Sequence, residues 1–352
     1  MEMIDILKAA VEQGASDVHL VIGRPPMVRV RGEIRALDGL TPITAADSQQ
    51  LIYSILSDEQ KARFESEMEL DCSFALRDVS RFRVNVLLQK NGPEAVLRII
   101  SSQIPTADEL QLPAAVLQFT DLPRGLVLVT GPTGSGKSTT LACLINIINQ
   151  KRHDHILTIE DPIEFVYEGK TCIVRQREVG QQTKSFSTAL KYALRQDPDI
   201  VLIGEMRDLE TISAALTIAE TGHLAFGTLH TTDAAQTIDR IIDVFPAHQQ
   251  QQVRVQLSTT LKGVVSQTLL PKSDGIGRVA AREIMVVTPA ISNLIREGKT
   301  HQVYSAIETG AKFGMISLDR ALLNLVQIGQ ISIEDAVAKA HNPDYVRSGG
   351  RM

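Results

Sequence analysis

The sequence lacks tryptophan altogether, and aromatic residues make up only 4% of its 352 positions. Few side chains are therefore available to stack on the bases of single-stranded DNA or RNA. The formal net charge is -5 at pH 7, so no overall positive field attracts a nucleic acid. Both shortages argue against a helicase or a DNA-translocating motor, and we expect no nucleic-acid partner.

Cysteine is also scarce. The three thiols, Cys72, Cys143 and Cys172, are odd in number and far apart, and none forms a Cys-x-x-Cys pair. This spacing argues against a disulfide framework and a zinc ribbon, and no His/Cys pattern has the spacing of a metal site. We interpret the three as buried or half-buried thiols of a protein in a reducing compartment.

Long apolar runs are missing as well. No run reaches the roughly 18 consecutive apolar residues that indicate a membrane-spanning helix. The first 20 residues are amphipathic and acidic, without the cationic start and apolar centre of a signal peptide. The sequence therefore predicts a cytoplasmic protein with no transmembrane segment, which leaves docking on a membrane complex open.

What is present is an ordinary globular composition, with 43% hydrophobic and 22% charged residues. Residues 1–100 combine helices with short alternating strands, a pattern typical of an α+β domain. Residues 101–123 contain three prolines and are interpreted as a linker. Strands and helices alternate over 124–288, which predicts an α/β domain whose parallel sheet is covered by helices on both faces. Residues 289–352 are predicted to be mostly helical.

The strongest local signal is GPTGSGKST over 131–139, which fits the pattern G-x-x-x-x-G-K-[ST] between a predicted strand and a predicted helix. Glycines let the backbone curl so that successive N–H groups point at phosphate oxygens, and the helix N-terminus adds positive partial charge. Lys137 is expected to reach the β- and γ-phosphates, and the Ser138 hydroxyl to ligate Mg²⁺. We therefore predict a nucleoside triphosphate site formed by Gly131, Pro132, Thr133, Gly134, Ser135, Gly136, Lys137, Ser138 and Thr139.

Acidic and histidine side chains follow other predicted strands of the same sheet. Ligands bind at the carboxyl ends of parallel strands, so such side chains are expected to face the phosphate loop. A carboxylate there can orient the attacking water or hold a magnesium-bound water. The residues in question are Glu160, Asp161 and Glu164 after HILTI, Glu205 after DIVLIG, and His230 after LAFGTL.

Each of these residues also has a simpler interpretation. Glu205 can be a solvated strand end that is paired with Arg207. Glu160 and Glu164 can belong to a charge pattern that favours the start of a helix. His223 and His230 can be ordinary buried, hydrogen-bonded histidines.

Five stretches occur in the order found in the ATPases of bacterial secretion systems and type IV pili. GPTGSGKSTT resembles the Walker A motif of this family, ILTIEDPIEF its acidic box, LRQDPDIVLIGEMRD its Walker B region and TGHLAFGTLHT its histidine box. AISNLIRE at 290–297 resembles the AIRNLIRE motif of the pilus-retraction ATPases. The resemblance runs from about residue 14 to about residue 330.

The resemblance implies a PAS-like N-terminal domain, a RecA-like P-loop ATPase domain with a C-terminal helical extension, and a ring-shaped homohexamer. It implies hydrolysis of ATP, with Mg²⁺ as cofactor, to power pilus retraction and twitching motility at the cytoplasmic face of the inner membrane. The implied partners are the platform protein PilC and other retraction ATPases.

The family motifs also imply roles for individual residues. Carried onto this chain, Glu160 becomes the water-orienting glutamate. Glu205 becomes the Walker B carboxylate near Mg²⁺, directly or through a water, and His230 a sensor of the γ-phosphate. The division of roles between Glu160 and Glu205 stays open, because the sequence does not separate a base from a group in the second shell of a metal. Intact Lys137 and both glutamates argue against a scaffold that binds ATP without hydrolysing it.

Two arginines of the first domain are candidates for arginine fingers. Arg83 and Arg98 lie on predicted strands joined at Asn91-Gly92, and a tight turn places Arg98 opposite Asn85, on the same face as Arg83. Their spacing resembles that of the N-domain arginine pair of the family. A domain swing or a neighbouring chain has to bring them to the ATP. Arg81 is a weaker third candidate, and solvent-facing strand arginines are the simpler interpretation.

The sequence departs from the family pattern at two points. Ser292 stands where the retraction motif has Arg, which removes a charge from that helix and leaves a PilU-like accessory retraction motor as an alternative. The tetracysteine zinc insert and the long N-terminal extension of the assembly and secretion ATPases are missing, which favours retraction over assembly.

Overall fold

A computed structural model of the protein describes residues 2–30, 32–77, 79–100 and 103–350. The chain divides into two compact units, Met1–Gln103 and Ile104–Met352. Ser101 and Ser102, the first residues of the predicted linker, lie outside the described residues.

The first unit combines helices with an antiparallel sheet. Its elements are α1 (Met3–Glu12), β1 (Asp17–Leu20), β2 (Met27–Val30), β3 (Glu33–Ala36), α2 (Ala45–Tyr53), α3 (Asp58–Glu67), β4 (Glu69–Leu76), β5 (Ser80–Gln89) and β6 (Gly92–Ile100). The strands lie in the order β3-β2-β1-β6-β5-β4. Alternate residues of β5, namely Phe82, Val84 and Val86, are buried with Ile6 and Leu7 of α1 in one hydrophobic core. The period of two in the sequence of β5 produces this one-sided burial.

The spacing of apolar residues over 45–67 predicts a helical stretch, and the structure divides it into two helices, α2 and α3. Ser57 starts the second helix with a capping box, in which its hydroxyl accepts from the Gln60 N–H and the Gln60 side chain accepts from the Ser57 N–H. β4 is not predicted from the sequence; Leu70 is its one buried residue, and the other residues of the strand are exposed or half-buried.

The hairpin that carries the candidate arginines turns one residue earlier than predicted, at Lys90-Asn91 instead of Asn91-Gly92. β6 begins at Gly92, which pairs with Gln89, so Arg83 lies directly opposite Arg98. The predicted pairing of Arg98 with Asn85 is therefore wrong by two residues, because moving a two-residue turn by one position shifts the strand pairing by two. Directly opposite residues share a face of the sheet, so both arginines do lie on one face.

The second unit contains a mixed sheet between helices. Its elements are α4 (Ala114–Leu117), β7 (Gly125–Thr130), α5 (Lys137–Lys151), β8 (His155–Glu160), β9 (Ile173–Glu178), α6 (Phe186–Ala193), β10 (Ile200–Ile203), α7 (Leu209–Glu220), β11 (Leu224–Leu229), α8 (Ala234–Asp243), α9 (Ala247–Thr260), β12 (Leu261–Pro271), β13 (Arg278–Val286), α10 (Pro289–Glu297), α11 (Val303–Glu308), α12 (Leu318–Gln327), α13 (Ile333–Lys339) and α14 (Pro343–Arg347). The strand order is β13-β12-β7-β11-β10-β8-β9. The pair of β12 and β13 is antiparallel, and the other neighbouring pairs of this sheet are parallel.

The central strand β7 is buried along its whole length, which explains its continuously apolar sequence. Leu126 and Leu128 belong to one buried cluster, and Val127 and Val129 belong to a second. Alternate side chains of a strand point to opposite faces, so the two clusters cover the two faces of the sheet. The prediction of a sheet with helices on both sides agrees with this packing.

β12 is the main strand that the sequence analysis misses in this unit. Its 11 residues follow α9 directly, with no turn residue between Thr260 and Leu261, and pair in parallel with β7. The sequence predicts a pair of strands near 277–287; the structure has one strand there, β13, and its hairpin partner β12 lies earlier in the chain. The insertion of β12 beside β7 places Ser266 and Gln267 next to the phosphate loop.

Candidate nucleotide site

The carboxyl ends of neighbouring parallel strands meet at one cavity. The phosphate loop follows β7, Glu160 is the last residue of β8, Glu205 lies two residues beyond β10, and His230 directly follows β11. Lys137, Glu160, Glu205 and His230 all line this cavity. The structure therefore brings together side chains that the sequence places up to 93 positions apart, from residue 137 to residue 230.

The loop between β7 and α5 is shaped by glycines. Gly131, Gly134 and Gly136 have φ angles of 138°, 76° and 85°, which favour glycine over other residues. Gly131 has a second reason, because a Cβ there would lie 2.2 Å from the carbonyl oxygen of Gln267. The cavity is lined by Thr133, Gly134, Lys137 and Ser138 of this loop. Ser135 is buried and Pro132 is exposed. A second cavity is lined by Gly136 and Thr139.

Lys137, the first residue of α5, folds back over its own loop. Its Nζ donates to the carbonyl oxygens of Gly131, at 2.8 Å, and Pro132, at 3.1 Å. Burial lowers the pKa of the ammonium group, and the negative charge of Glu205 acts in the opposite direction. The amine is thus held at the loop by neutral acceptors, which a phosphate oxygen can replace.

The sequence analysis misses a polar residue that braces the loop from β12. Gln267 is only 3% exposed; its Nε2 donates to the Ser135 carbonyl at 2.6 Å, and its Oε1 accepts from the Thr140 hydroxyl at 2.9 Å. Both ends of the amide are therefore used to hold the loop against the first turn of α5. The available signal is the Ser-Gln pair inside the apolar run VVSQTLL, since buried polar side chains are rarely left without a partner.

Glu160 is largely removed from water, with 6% of its surface exposed. Its Oε1 accepts from the Thr158 hydroxyl at 2.6 Å and from Nε2 of Gln176 at 3.2 Å. Burial raises the pKa of this carboxyl group, and the hydrogen bonds from Thr158 and Gln176 partly oppose the shift. The alternative of a helix start is wrong, because a loop and then β9 follow Glu160.

The loop of residues 161–172, named here the acidic loop, is fastened by side chains of β9. Glu178 accepts from the Ile163 N–H at 3.0 Å. Gln176 accepts from the Tyr167 N–H at 2.8 Å and donates to the Phe165 carbonyl at 2.8 Å. These bonds hold the acidic loop against the sheet, and its residues that line the cavity are Asp161, Pro162, Glu164, Phe165 and Tyr167.

Glu205 has two partners at the cavity. Its Oε1 accepts from Nε of Arg207 and lies 2.8 Å from Nε2 of His230. Burial acts to raise the pKa of Glu205, but the hydrogen bonds and charges of Arg207 and His230 outweigh burial and lower it. Glu205 therefore does pair with Arg207, as the simpler interpretation has it, and it also faces the cavity beside His230.

Gly204 explains how the two glutamates come to lie on adjacent strand ends. A Cβ at Gly204 would lie 3.1 Å from the Cα of Glu160, which is tighter than ordinary contact. Glycine thus allows the chain beyond β10 to stay against the end of β8, and its N–H donates to the Ile159 carbonyl at 2.8 Å.

The candidate arginine fingers belong to the first compact unit and are not among the residues that line the cavity. Arg83 is exposed. The Arg98 Nε donates to Asp17 at 2.9 Å, although 69% of the Arg98 side chain is exposed. Arg81 donates to the hydroxyl of Ser73 at 2.9 Å.

Two further residues singled out by the sequence lie away from the cavity lining. His223 precedes β11, at the end of the strand opposite to His230, and its Nδ1 lies 3.1 Å from the Thr221 hydroxyl. The interpretation of His223 as an ordinary hydrogen-bonded histidine fits this position. Ser292 donates to the Ser258 carbonyl at 2.6 Å and so ties α10 to α9.

A second cavity adjoins the phosphate loop at Gly136 and Thr139. Arg282 lines it, is 7% exposed, and donates to the Leu110 carbonyl at 3.0 Å. Burial lowers the pKa of Arg282 to about 10. Apolar and charged side chains complete the lining, among them Leu269, Val279, Ala280, Lys272 and Arg278.

Comparisons with known proteins agree with this geometry. Residues 2–335 match the family described as type II/IV secretion system protein. The chain is 55% identical to the type IV pilus retraction ATPase PilT of Pseudomonas aeruginosa over 98% of this chain and 99% of that protein. Identity to the type IV pilus ATPase PilU of the same organism is 40%, over 99% and 91% of the two chains. A crystal structure of the pilus retraction motor PilT with bound ADP matches with a TM-score of 0.93 and 48% identity over 99% of each chain.

Proposed function

This chain belongs to the type II/IV secretion system protein family and is an ATP hydrolase, and from this premise we propose that it is a hexameric motor for type IV pilus retraction. The observation that carries the proposal is the convergence of the phosphate loop, Glu160, Glu205 and His230 on one cavity. The identity of 55% to PilT, against 40% to PilU, supports retraction as its task.

The phosphate loop binds the triphosphate. The N-terminus of α5 and the loop N–H groups supply positive partial charge, and Lys137 exchanges the carbonyls of Gly131 and Pro132 for phosphate oxygens. Gln267 keeps the loop in this shape, because it holds the Ser135 carbonyl and the Thr140 hydroxyl at once. The residues present therefore fit a nucleoside triphosphate.

Hard oxygen donors for a magnesium ion are also present. The hydroxyl of Ser138 is exposed in the cavity, and the carboxylate of Glu205, ionised because its pKa is lowered, faces the same space. Bound Mg²⁺ would neutralise charge on the β- and γ-phosphates. Glu205 would hold the ion directly or through a water, and its partners Arg207 and His230 orient the carboxylate.

We assign the attacking water to Glu160 and the metal side to Glu205. Glu160 is buried, has neutral hydrogen-bond donors and a raised pKa, which suits a group that orients water and accepts its proton. Glu205 has a lowered pKa and cationic surroundings, which suits a permanently charged group near a metal. His230, hydrogen bonded to Glu205, is then placed to sense the γ-phosphate.

We place the nucleoside in the second cavity. It begins at Thr139, where the α-phosphate end of the nucleotide leaves the loop, and Leu269 and Ala280 offer apolar surface to a base. Arg278 and Lys272 can contact the ribose or the α-phosphate.

Arg83 and Arg98 complete the site as arginine fingers from a neighbouring chain. They lie opposite each other on an exposed face of the first unit, a PAS-like domain in this proposal, whereas the RecA-like second unit holds the phosphate loop. A ring of six chains lets each first unit serve the ATP of its neighbour. ATP binding closes the shared site, and hydrolysis reopens it, so the step passes around the ring.

The motor acts at the cytoplasmic face of the inner membrane on the platform protein PilC, alone or with other retraction ATPases. Within the described ranges, no helix is long and apolar enough to cross a bilayer. A second candidate is a PilU-like accessory motor, which is left open because Ser292 stands where the retraction motif has Arg.

The test uses a strain with type IV pili that lacks its own retraction ATPase. We expect the parent chain, but not Glu160→Gln, to restore twitching on agar and to hydrolyse Mg-ATP as a purified hexamer. A primary motor restores twitching alone, and an accessory motor does so only when a second retraction ATPase is present. A purified parent that binds ATP but shows no turnover would contradict the proposal.

A further inference from the structure

We propose that Thr158 and Gln176 are positioning residues that hold one carboxylate oxygen of Glu160 and thereby fix the direction in which the other oxygen meets the attacking water. The inference rests on the proposed function, in which Glu160 orients that water. Thr158 lies in the stretch ILTIEDPIEF but is not among the candidate site residues predicted from the sequence, and Gln176 lies outside the motifs named above.

The two donors converge on the same atom. The Thr158 hydroxyl lies 2.6 Å from Oε1 of Glu160, and Nε2 of Gln176 lies 3.2 Å from it. Neither donates to Oε2. A carboxylate fixed by two bonds at one oxygen loses its freedom to rotate, so the remaining oxygen keeps a constant direction.

The sheet itself sets this arrangement. Thr158 lies two residues before Glu160 on β8, so both side chains point to the same face, and Thr158 pairs directly with Gln176 of β9. Thr158 is 0% exposed, which leaves its hydroxyl no water to compete for. All three side chains therefore start from paired backbone positions.

The amide of Gln176 can take only one orientation. Its Oε1 accepts from the Tyr167 N–H at 2.8 Å, which requires an oxygen at that position. The nitrogen must then face Glu160, and it also donates to the Phe165 carbonyl at 2.8 Å. Gln176 thus joins the acidic loop to the carboxylate, so the placement of Glu160 depends on that loop being closed.

The other groups around Glu160 make these donors necessary. The carboxylate of Glu164, on the acidic loop, repels the charge of Glu160, and the buried phenol of Tyr167 adds no positive charge. A backbone hydrogen bond from Glu164 also reaches Glu160. Loss of either side-chain donor leaves the charged form of Glu160 less stable, which raises its pKa.

The test compares the variants Thr158→Val and Gln176→Met with the parent. For each protein, kcat and KM for Mg-ATP are measured from about pH 5.5 to about pH 9, a range chosen because the pKa of Glu160 is raised. Both variants should shift the acid limb of kcat upward by about one pH unit, which is about a tenfold loss at any pH on that limb. The KM should stay within about twofold of the parent, because the phosphate loop is untouched.

The pair of variants separates positioning from a structural effect. Thr158→Val removes a hydroxyl without touching the acidic loop, whereas Gln176→Met also loosens the loop. Thr260→Val is the matched control, since Thr260 is also buried, at 5% exposure, and its hydroxyl donates to the Gln256 carbonyl on α9; it should leave the profile unchanged.

An unmoved acid limb in Thr158→Val, or a loss confined to Gln176→Met, would overturn the proposal. If either outcome is found while Glu160→Gln is inactive, this inference fails but the proposed function stands. A fully active Glu160→Gln would instead remove the assignment of Glu160 on which this inference rests.

Discussion

A buried carboxyl that is not among the residues lining either cavity gives a prediction about stability. Glu283 lies on β13 with 1% of its surface exposed, and its Oε1 accepts from the Ala234 N–H at the start of α8 at 2.9 Å. Burial, assisted by the charge of Asp233, raises its pKa from 4.5 to about 7. A difference of about 2.5 units corresponds to about 3 kcal/mol between the folded and unfolded states.

The sign follows from where the proton is held. Below pH 4.5 the carboxyl of Glu283 is protonated in both states, so it imposes no pH-dependent penalty. Between pH 4.5 and about 7 the unfolded chain releases the proton first, and the free energy of unfolding falls as pH rises. Above about pH 7 the whole penalty is present.

Glu283→Gln removes this titration while keeping an oxygen for the Ala234 N–H. In urea unfolding followed by circular dichroism, the variant should gain up to about 3 kcal/mol relative to the parent between pH 5 and pH 8. Glu334→Gln, at an exposed site on α13, is the control and should follow the parent. A parallel pH dependence for Glu283→Gln and the parent would refute the reasoning.

Three changes at the phosphate loop have graded consequences for ATP binding, measured with a fluorescent ATP analogue. Lys137→Ala should abolish ATP binding, whereas the control Lys191→Ala, at an exposed position, should not. ATP binding retained by Lys137→Ala would contradict the assignment of the phosphate loop as the ATP site. Gln267→Leu should weaken binding about tenfold, because the Ser135 carbonyl and the Thr140 hydroxyl lose their partner. Gly131→Ala should lose binding, since its Cβ would lie 2.2 Å from the Gln267 carbonyl; an unchanged Kd in either variant would show that β12 does not brace the loop.

The sequence predicts best what depends on neighbours along the chain. β7, the glycine-rich loop and α5 are identifiable because an apolar run, glycines and a helix follow one another within 27 residues, from 125 to 151. In parallel α/β folds the carboxyl ends of the strands lie at one edge of the sheet, where ligands bind. This general rule was enough to predict that Glu160, Glu205 and His230 lie near the phosphate loop. The resemblance to the secretion and pilus ATPases is confirmed by the relatives that this chain matches.

What the sequence misses depends on contacts between distant residues. The partners of Gln267 lie 127 and 132 positions away, and no local pattern announces them. Gln176 appears as one polar residue of an edge strand until its pairing with Thr158 is known. The predicted register of the Arg83 hairpin is wrong because moving the turn by one residue shifts the pairing by two, which leaves the alternation of exposed and buried residues unchanged.

The central claim is that one ATP is hydrolysed by groups from two chains. Arg83→Ala and Glu160→Gln should each bind ATP and hydrolyse it poorly, while Arg35→Ala, which alters another arginine of the same sheet, should behave like the parent. Mixing the two poor variants into common rings should restore turnover to about a quarter of the parental rate, because one site in four then combines an intact Glu160 with an intact Arg83 from its neighbour. Mixed rings that stay as inactive as the separate variants would contradict the account.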